Sequence, residues 1–210
     1  MGNCQQCIIK EISSLKSLSS KELKRVSEHK GEVFFKKGDT IFKEGSILNG
    51  VYCIKEGKCK LTKLSPNGKE QIVKFIKDGD MLGYRSVLGE EPVSLSVVAL
   101  EDMAACFIPK QNIFDALQQN KNFSKDLFKV VCHDLKDANT NIASMAQKTV
   151  RERLAETLLF LDETFGEDEE GCIDVILSRV ELSSVIGTAT ESTIRLLSEM
   201  KKDQVISLIG

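Results

Sequence analysis

The sequence contains no tryptophan, two histidines, three prolines and only 6% aromatic residues. It has no Ser/His/Asp, Cys/His or phosphate-loop arrangement, and neither histidine has neighbours at metal-ligand spacing, which argues against an enzyme and against a haem or zinc centre. No apolar run reaches eighteen residues, and the start MGNCQQCIIKEISSLK has no apolar core of signal-peptide type. We therefore expect a cytoplasmic protein that is neither an enzyme nor bound to a membrane.

An excess of charge of one sign is also missing, since 29 Lys and Arg residues are balanced by 31 Asp and Glu residues. This balance is unusual for a nucleic-acid binder, so any contact with DNA must come from local placement of charge. The seven cysteines, an odd number, favour reduced thiols over a disulfide framework. The length of 210 residues and the hydrophobic content of 41% fit two small domains.

Glycine-punctuated short strands fill the first half of the chain, after an amphipathic helix at 14–30. Glycines at 38, 45, 57, 68 and 79 separate short alternating runs, which predicts a β-roll or barrel. Pro66-Asn67-Gly68 is typical of a hairpin turn. The predicted strands are 32–36, 40–43, 50–54, 58–64, 70–76 and 95–108.

A long helix is predicted from Phe123 to about Thr149, after a short helix at 111–118. Its apolar positions recur at intervals of three and four, as in a coiled-coil seam, so we expect two copies to pair along it. The alternative is a helix packed only on its own β-roll. The predicted seam residues are Leu127, Val131, Leu135, Ala138, Ile142 and Met145.

The stretch LSRVELSSVIGTATESTIRLLSEMKKDQVI near the C-terminus is typical of a helix-turn-helix. Ser178 with Glu181 and Thr188 with Glu191 have the spacing of two capping boxes, each at the start of a helix. Gly187 lies between them, where the turn requires positive φ. The second helix of such a pair has the shape to enter the DNA major groove.

Helical spacing divides this second helix into two faces. The side chains expected to pack inward are Ala189, Thr193, Leu196 and Met200, against Val180, Leu182 and Ile186. Those expected to read base edges are Thr190, Glu191, Ile194 and Arg195. An Arg suits guanine, a Glu suits cytosine, an apolar side chain suits the thymine methyl group, and Glu191 can pair with Arg195. The candidates for phosphate contacts are Arg179, Lys201 and Lys202. The alternative is an ordinary helical hairpin with an exposed Glu–Arg pair.

These parts predict an α+β protein with a sensor β-roll at 1–120, a dimerisation helix at 121–149 and a helix-turn-helix domain at 150–210. The last domain is expected to begin with a helix at 151–165 and a strand at 172–177. A further strand starts at 205–209, but a winged domain needs a second strand there. The wing is thus expected to be incomplete, either because the chain is cut short or because the wing is vestigial.

The order of these parts resembles the CRP/FNR family of bacterial transcription regulators over essentially the whole chain. The specific marks are GDMLG at 79–83, RLAETL at 153–158 and the pair Glu191 and Arg195. The resemblance implies a cyclic-nucleotide-binding-like β-roll, a homodimer, double-stranded DNA as target and contact with RNA polymerase. A ligand-binding or redox-sensing module without DNA binding is the alternative function. The signal, the operator and the direction of regulation are not indicated.

The chain departs from the family members that bind cyclic AMP. Those members carry Gly-Glu at the end of the GD-x-x-G segment and an Arg about ten residues later, whereas here Tyr84 follows that segment and the later position falls at 94–95. The adenine-contacting Thr-Ser pair is Ala-Asn at 138–139. An anionic nucleotide without a paired cation would bear a large desolvation cost, so cyclic AMP is not expected. Arg85 could substitute, but a surface pair with a Glu at 90–91 is the simpler account.

The cysteines resemble the oxygen-sensing FNR branch, which holds an iron–sulfur cluster through four cysteines. Cys4 and Cys7 match the first pair and Cys106 matches the fourth cysteine, while the third position holds Ser13, a poor iron ligand. A carboxylate such as Glu11, or solvent, would have to complete a cluster. The alternative is that these thiols are inert. The remaining cysteines are expected to be small core residues: Cys53, Cys59, Cys132 and Cys172.

Overall fold

The computed structural model describes residues 14–28 and 31–209. Within them the strands are β1 Gly31–Phe35, β2 Thr40–Phe42, β3 Gly50–Glu56, β4 Cys59–Leu64, β5 Glu70–Ile76, β6 Met81–Leu82, β7 Ser96–Ala99 and β8 Met103–Pro109. The α-helices are α1 Ser20–Glu28, α2 Tyr84–Gly89, α3 Lys110–Gln119, α4 Lys121–Gln147, α5 Val150–Phe165, α6 Arg179–Ile186 and α7 Thr190–Lys202. A short 3-10 helix, Ser14–Ser17, precedes α1.

The described residues divide into two units, one made of those up to 64 with 73–137 and the other of 65–72 with those from 138 to 209. The boundary therefore falls inside α4, and the tip of the β4–β5 hairpin belongs to the second unit. None of the helices in the described part of the chain is both long and apolar enough to cross a membrane.

Two four-stranded antiparallel sheets form the β-roll that the glycine spacing predicts. Their strand orders are β1-β8-β3-β6 and β2-β7-β4-β5. The predicted run 95–108 is divided into β7 and β8 by a bend at 100–102. Neither β6 nor α2 was predicted, because two residues of strand and six of helix are too short to produce a periodic pattern.

Alternating side chains of β3 enter two separate cores. Val51 and Cys53 face a cluster that also contains residues of the N-terminal helices, α3 and α4, whereas Ile54 faces a cluster inside the roll. Leu23 and Val26 of α1 are buried in the first cluster, as the amphipathic pattern at 14–30 predicts. This helical layer supports the start of α4.

The long helix α4 has 27 residues and ends at Gln147, slightly before the predicted end. It ends there because Thr149 caps α5 through a capping box with Glu152. Phe123 and Leu127, near its start, are buried in the first core cluster. Leu127 is therefore a residue of the β-roll core and not of the exposed seam to which its spacing assigned it.

The predicted strands at 172–177 and 205–209 are not strands in this structure. The one trace of pairing near the first, within the described residues, is an isolated bridge between Glu167 and Ile173. The Asp168 carboxylate accepts hydrogen bonds from the N–H groups of Glu170 and Cys172, both at 2.9 Å. An Asx turn therefore joins the two segments of the bridge, and the pairing does not extend into a ladder over 172–177, so the described part of this unit is a helix-turn-helix without a wing strand.

Candidate DNA-binding interface

The first helix of the predicted helix-turn-helix begins at the expected cap. The Ser178 N–H donates to the Glu181 carboxylate (2.8 Å), and the Glu181 N–H donates to the Ser178 hydroxyl (3.1 Å). At the other end of α6, Gly187 has φ 65° and ψ 50°, the left-handed conformation that favours glycine. The predicted capping box and the turn glycine are confirmed.

The second predicted capping box does not form. The N–H of Thr188 donates to the Ser183 carbonyl at 3.1 Å, so Thr188 still belongs to the turn that closes α6. Helix α7 begins two residues later, at Thr190, with Ala189 as an N-cap that makes no side-chain hydrogen bond. Glu191 therefore lies in the first turn of α7, where its negative charge interacts favourably with the positive end of the helix dipole.

The inner face of α7 is close to the prediction. Thr193, Leu196 and Met200 are buried, as are Leu182 and Ile186 of α6. The two exceptions are residues that the spacing placed inward. Ala189 is exposed because it precedes the helix, and Val180 is 64% exposed because α6 buries its opposite side.

The outer face of α7 presents three of the four predicted base-reading side chains. Glu191 and Arg195 are exposed, and Ile194 is 47% exposed despite being apolar. Thr190 is half-buried, and its hydroxyl lies 3.2 Å from that of Ser183. It is therefore partly engaged in packing α7 against α6.

Arg195 pairs with an acidic residue one turn later in α7, whereas the predicted partner, Glu191, lies one turn earlier. Its Nε lies 4.0 Å from the Glu199 carboxylate, one turn later in α7, and its side chain is 73% exposed. An exposed pair at this distance is weak, so the guanidinium can leave it for another acceptor. Glu191 then remains available as a separate acceptor on the same face.

The candidate phosphate-binding residues occupy helix ends. Arg179 is half-buried at the first position of α6, and Lys201 and Lys202 are exposed at the end of α7. The structure thus puts basic side chains near both ends of the two-helix motif.

Arg153 has a structural role that was not predicted from the sequence, in which this residue was noted only within the family motif RLAETL at 153–158. Its Nε donates to the carbonyl of Ile186 at 2.9 Å, and its Nη1 donates to the carbonyl of Lys148 at 2.8 Å. One guanidinium therefore holds the ends of α6 and of the segment after α4. No local sequence signal could have identified the bond to Ile186, because this partner is 33 residues away in the chain.

The hairpin tip at 65–72 also fixes α6. The Ser184 hydroxyl donates to the Glu70 carbonyl (2.6 Å) and accepts from the Ile72 N–H (2.9 Å). The Gln71 amide donates to the Val185 carbonyl at 3.1 Å. These three bonds act within the second unit and hold α6, and they do not involve the outer face of α7.

Exposed apolar side chains line α4 beyond its buried start. Five of the six predicted seam residues belong to this exposed set, and Phe128, which the prediction omitted, joins them at 70% exposure. Leu135 and Ile142 are 62% and 68% exposed. With Phe128 in place of Leu127, the spacing becomes a strict alternation of three and four. The set is Phe128, Val131, Leu135, Ala138, Ile142 and Met145, and we name it the α4 stripe.

Two family profiles match the chain and together cover more than half of it. Residues 32–120 match the cyclic nucleotide-binding domain, and residues 152–210 match the Crp-like helix-turn-helix domain. The sequence is 26% identical over 213 residues to the fumarate and nitrate reduction regulatory protein of Vibrio cholerae, covering 99% of this chain and 84% of that protein. The chain belongs to the CRP/FNR family.

Other relatives agree with this assignment. A CRP-like cAMP-activated global transcriptional regulator of Mycobacterium tuberculosis is 27% identical over 180 residues, covering 85% of this chain and 80% of that protein. The structure of FixK2 from Bradyrhizobium japonicum shares the fold, with a TM-score of 0.76 at 23% identity over 86% of this chain and 89% of that one. This CRP/FNR protein is therefore a transcriptional regulator with a helix-turn-helix DNA-binding domain, and its relatives and fold are those of regulators, not of enzymes.

In this CRP/FNR chain, the tyrosine that follows the GD-x-x-G segment contacts the long helix. The Tyr84 hydroxyl donates to the Asp134 carboxylate, which also accepts from the Lys74 ammonium group. Burial, and then the hydrogen bond to Asp134, raise the pKa of Tyr84 far above its usual value. Arg85 instead forms an exposed ion pair with Glu91 at 3.1 Å, which is the simpler of the two predicted arrangements.

The cysteine pattern of this family member is only partly within the described residues. Cys4, Cys7, Glu11 and Ser13 lie outside them. Cys106 is 3% exposed in β8, in an apolar cluster, and the described part of the chain contains no group of three metal-ligating side chains. The prediction of core cysteines is confirmed for two and wrong for two others. Cys53 and Cys59 are buried, whereas Cys132 is exposed and Cys172 is partly exposed.

Proposed function

We propose that this regulator binds double-stranded DNA sequence-specifically as a homodimer, with α7 of each protomer in the major groove. The observation that carries the proposal is the outer face of α7. Glu191, Ile194 and Arg195 are exposed there while the opposite face is buried. An acceptor, an apolar group and a bidentate donor on one helix face can discriminate cytosine, thymine and guanine edges.

The α4 stripe supports the dimer. Phe128, Leu135 and Ile142 each expose more than 60% of their surface to water in a single chain. A stripe of strict three–four spacing is the seam of a left-handed coiled coil, and a second copy of α4 would remove it from water. Two recognition helices related by a two-fold axis read half-sites about one helical turn apart, roughly 34 Å.

We further propose that the β-roll does not take a cyclic nucleotide. Tyr84 and Asp134 make between them a hydrogen bond that joins α2 to α4 inside the first unit. The position that follows the GD-x-x-G segment then offers the Tyr84 hydroxyl and no carboxylate, and Arg85 is engaged with Glu91 on the surface. Isothermal titration calorimetry with millimolar cyclic AMP should detect no binding heat. Thermal denaturation in the presence of the same nucleotide should give an unchanged melting temperature. A saturable signal would contradict this part of the proposal.

An iron–sulfur cluster is not part of the proposed mechanism. A cluster requires about four protein ligands, mainly cysteine thiolates, and of the three candidate thiols only Cys106 lies within the described residues. Contact with RNA polymerase, which the family implies, belongs to the proposed role at promoters.

The decisive experiment measures which duplexes the full chain binds and whether Arg195 reads one of their base pairs. A preferred site is first selected from random duplexes. Arg195→Ala is then expected to lose about 1–3 kcal/mol on that site and to relax preference at one G·C pair. The matched control is Arg85→Ala, which removes another exposed arginine with a glutamate partner but lies in the first unit.

Three results bear on the proposal. An unchanged ratio of preferred to scrambled affinity in Arg195→Ala would remove the base-reading role. An equal loss in Arg85→Ala would point to a general charge effect. No binding to any duplex at low salt by an intact dimer would favour the alternative, a regulatory module without DNA binding.

A further inference from the structure

Two buried cysteines lie directly opposite each other on neighbouring strands of the first sheet. Cys53 of β3 is the register partner of Cys106 of β8, and the strands are antiparallel. Their exposures are 0% and 3%, and both are thiols in this structure. Directly opposite residues of an antiparallel pair point to the same face of the sheet, so both sulfurs enter the same core cluster.

The hydrogen-bond pattern of β3 determines the spacing of this pair. The Ile54 N–H donates to the Asp80 carbonyl and the Ile54 carbonyl accepts from the Gly79 N–H, both at 2.9 Å, so this residue turns its backbone away from β8. Backbone groups alternate along a strand, and Cys53 therefore turns its N–H and carbonyl toward Cys106. Such a hydrogen-bonded pair has a Cα separation of about 5.5 Å. This value falls at the usual Cα separation of a disulfide, roughly 5.5–6 Å.

A disulfide between Cys53 and Cys106 requires a local movement of the two strands. Because the pair is hydrogen-bonded, its opposed Cβ atoms lie at the long end of the usual range, about 5.5 Å apart. A disulfide needs about 3.8 Å between them. Bond formation therefore requires the two Cβ atoms to approach by about 1.7 Å, through local tightening of the β3–β8 pairing.

We propose that Cys53 and Cys106 form a redox-modification site that a hydroperoxide converts into a cross-strand disulfide. With hydrogen peroxide, the thiolate of one cysteine attacks a peroxide oxygen, the O–O bond breaks, and a sulfenic acid and one water form. The second thiol then attacks the sulfenic sulfur; the S–S bond forms and a second water leaves. Two thiols lose two electrons and two protons in total, and the peroxide is reduced to two waters.

The other described cysteines do not offer this geometry. Cys59 is the register partner of Ala99 in the second sheet, and Cys172 lies in the second unit. Cys132 is exposed on α4. Of the cysteine pairs within the described residues, only Cys53 with Cys106 occupies opposed positions of adjacent strands.

A disulfide between Cys53 and Cys106 would alter the core cluster that contains the start of α4. Phe123 and Leu127, the buried residues at the start of α4, pack in the same cluster as the two thiols. Contraction of the pair therefore acts on the layer that supports the dimerisation helix. This consequence rests on the proposed function, whereas formation of the bond does not.

The test follows thiols in the full chain, carrying Cys132→Ser so that the exposed thiol forms no link between copies. The protein is reduced, exposed to hydrogen peroxide, denatured, alkylated and digested. Peptide mass spectrometry is expected to find the peptides of Cys53 and Cys106 joined and two hydrogens lighter than their reduced sum. Because both thiols are buried, the bond is expected to form more slowly than oxidation of Cys132 in the unsubstituted chain.

Matched variants separate this bond from general oxidation. Cys59→Ala removes a thiol buried to the same extent in the other cluster and should leave the joined peptide unchanged. Cys53→Ala should abolish it and leave Cys106 unlinked. Because the primary measurement is made with both cysteines present, its result does not depend on the stability of the Cys53→Ala variant.

Three outcomes would overturn the proposal. The first is full recovery of Cys53 and Cys106 as alkylated thiols after a dose that oxidises Cys132 completely in the unsubstituted chain. The second is a disulfide from Cys106 to Cys4 or Cys7 in place of Cys53. The third is stoichiometric iron and acid-labile sulfide in anaerobically purified protein, lost on Cys106→Ala, which would make that thiol a cluster ligand.

Discussion

At the scale of single residues, two arginines of α5 that are two positions apart make different kinds of contact. Arg153 donates from two nitrogens to two carbonyls at different helix ends. Arg151 pairs through its guanidinium with the Asp203 carboxylate at 2.7 Å, and about half of its side chain is exposed. Planar, forked recognition matters only for the first, because a single charge is sufficient for the second.

This difference predicts unequal effects of the same substitution. Arg153→Lys should lower the free energy of unfolding by about 1–2 kcal/mol, since an ammonium group on a flexible chain cannot satisfy both carbonyls. Arg151→Lys, the matched control, should cost at most about 0.5 kcal/mol because its ion pair is exposed. Urea denaturation of the full chain measures both. Equal losses in the two variants would show that Arg153 contributes only its charge.

Single residues also mark the limit of reading a capping box from spacing. Ser178 with Glu181 and Thr188 with Glu191 have the same pattern, yet only the first forms a box. The difference is the hydrogen bond from the Thr188 N–H to the Ser183 carbonyl, which keeps this residue in the preceding turn. Gly187 was predictable because its positive φ is a local requirement. The start of α7 was not, since it depends on how that turn closes.

At the scale of elements, α4 illustrates how a correctly predicted helix can have one residue assigned to the wrong face. Spacing of three and four is satisfied by a stripe that starts at Leu127 and equally by one that starts at Phe128. Only packing against the β-roll, which is tertiary, buries the former and exposes the latter at 70%. The helix itself and the later seam positions could be predicted from periodicity because an amphipathic pattern over this length is a strong signal.

The exposed stripe predicts that dimerisation is sensitive to a charge in its middle. Leu135→Asp should shift the full chain from dimer to monomer at micromolar concentration, because the carboxylate would be buried against its symmetry mate without a partner. Light scattering coupled to size-exclusion chromatography measures the mass. The control is Leu64→Asp, at the end of β4, where the leucine has the same exposure of 62%.

Two results would contradict the seam. A wild-type chain that is monomeric at tens of micromolar would mean that α4 has no mate. A Leu64→Asp variant that dissociates as readily as Leu135→Asp would place the dimer contact elsewhere.

At the scale of the whole molecule, the order of parts was predictable and the partners of the last strands were not. Glycine spacing, a long seam helix and a helix-turn-helix are local patterns, and together they indicate the family. A wing strand exists only if another strand hydrogen-bonds to it. The residues at 172–177 have strand composition, but Asp168 closes an Asx turn next to them and no ladder follows in the described chain.

The near-neutral charge of the whole molecule makes salt dependence its most informative property. The net charge is −2, so attraction to DNA must come from the few basic side chains near the motif. If Arg179, Lys201 and Lys202 contact phosphates in both protomers, a dimer displaces about six counterions. The logarithm of the association constant should then fall with the logarithm of salt concentration with a slope of about −5.

Removing two of these lysines should change the slope and leave sequence preference intact. Lys201→Gln with Lys202→Gln removes four of the dimer's contacts, so the slope should become shallower by about 3 to 4. The matched control is Lys21→Gln with Lys24→Gln, two exposed lysines of α1. It has the same total charge as the test variant and should keep the original slope. If both double variants shift the slope equally, DNA responds to overall charge and the ends of α7 do not touch its phosphates.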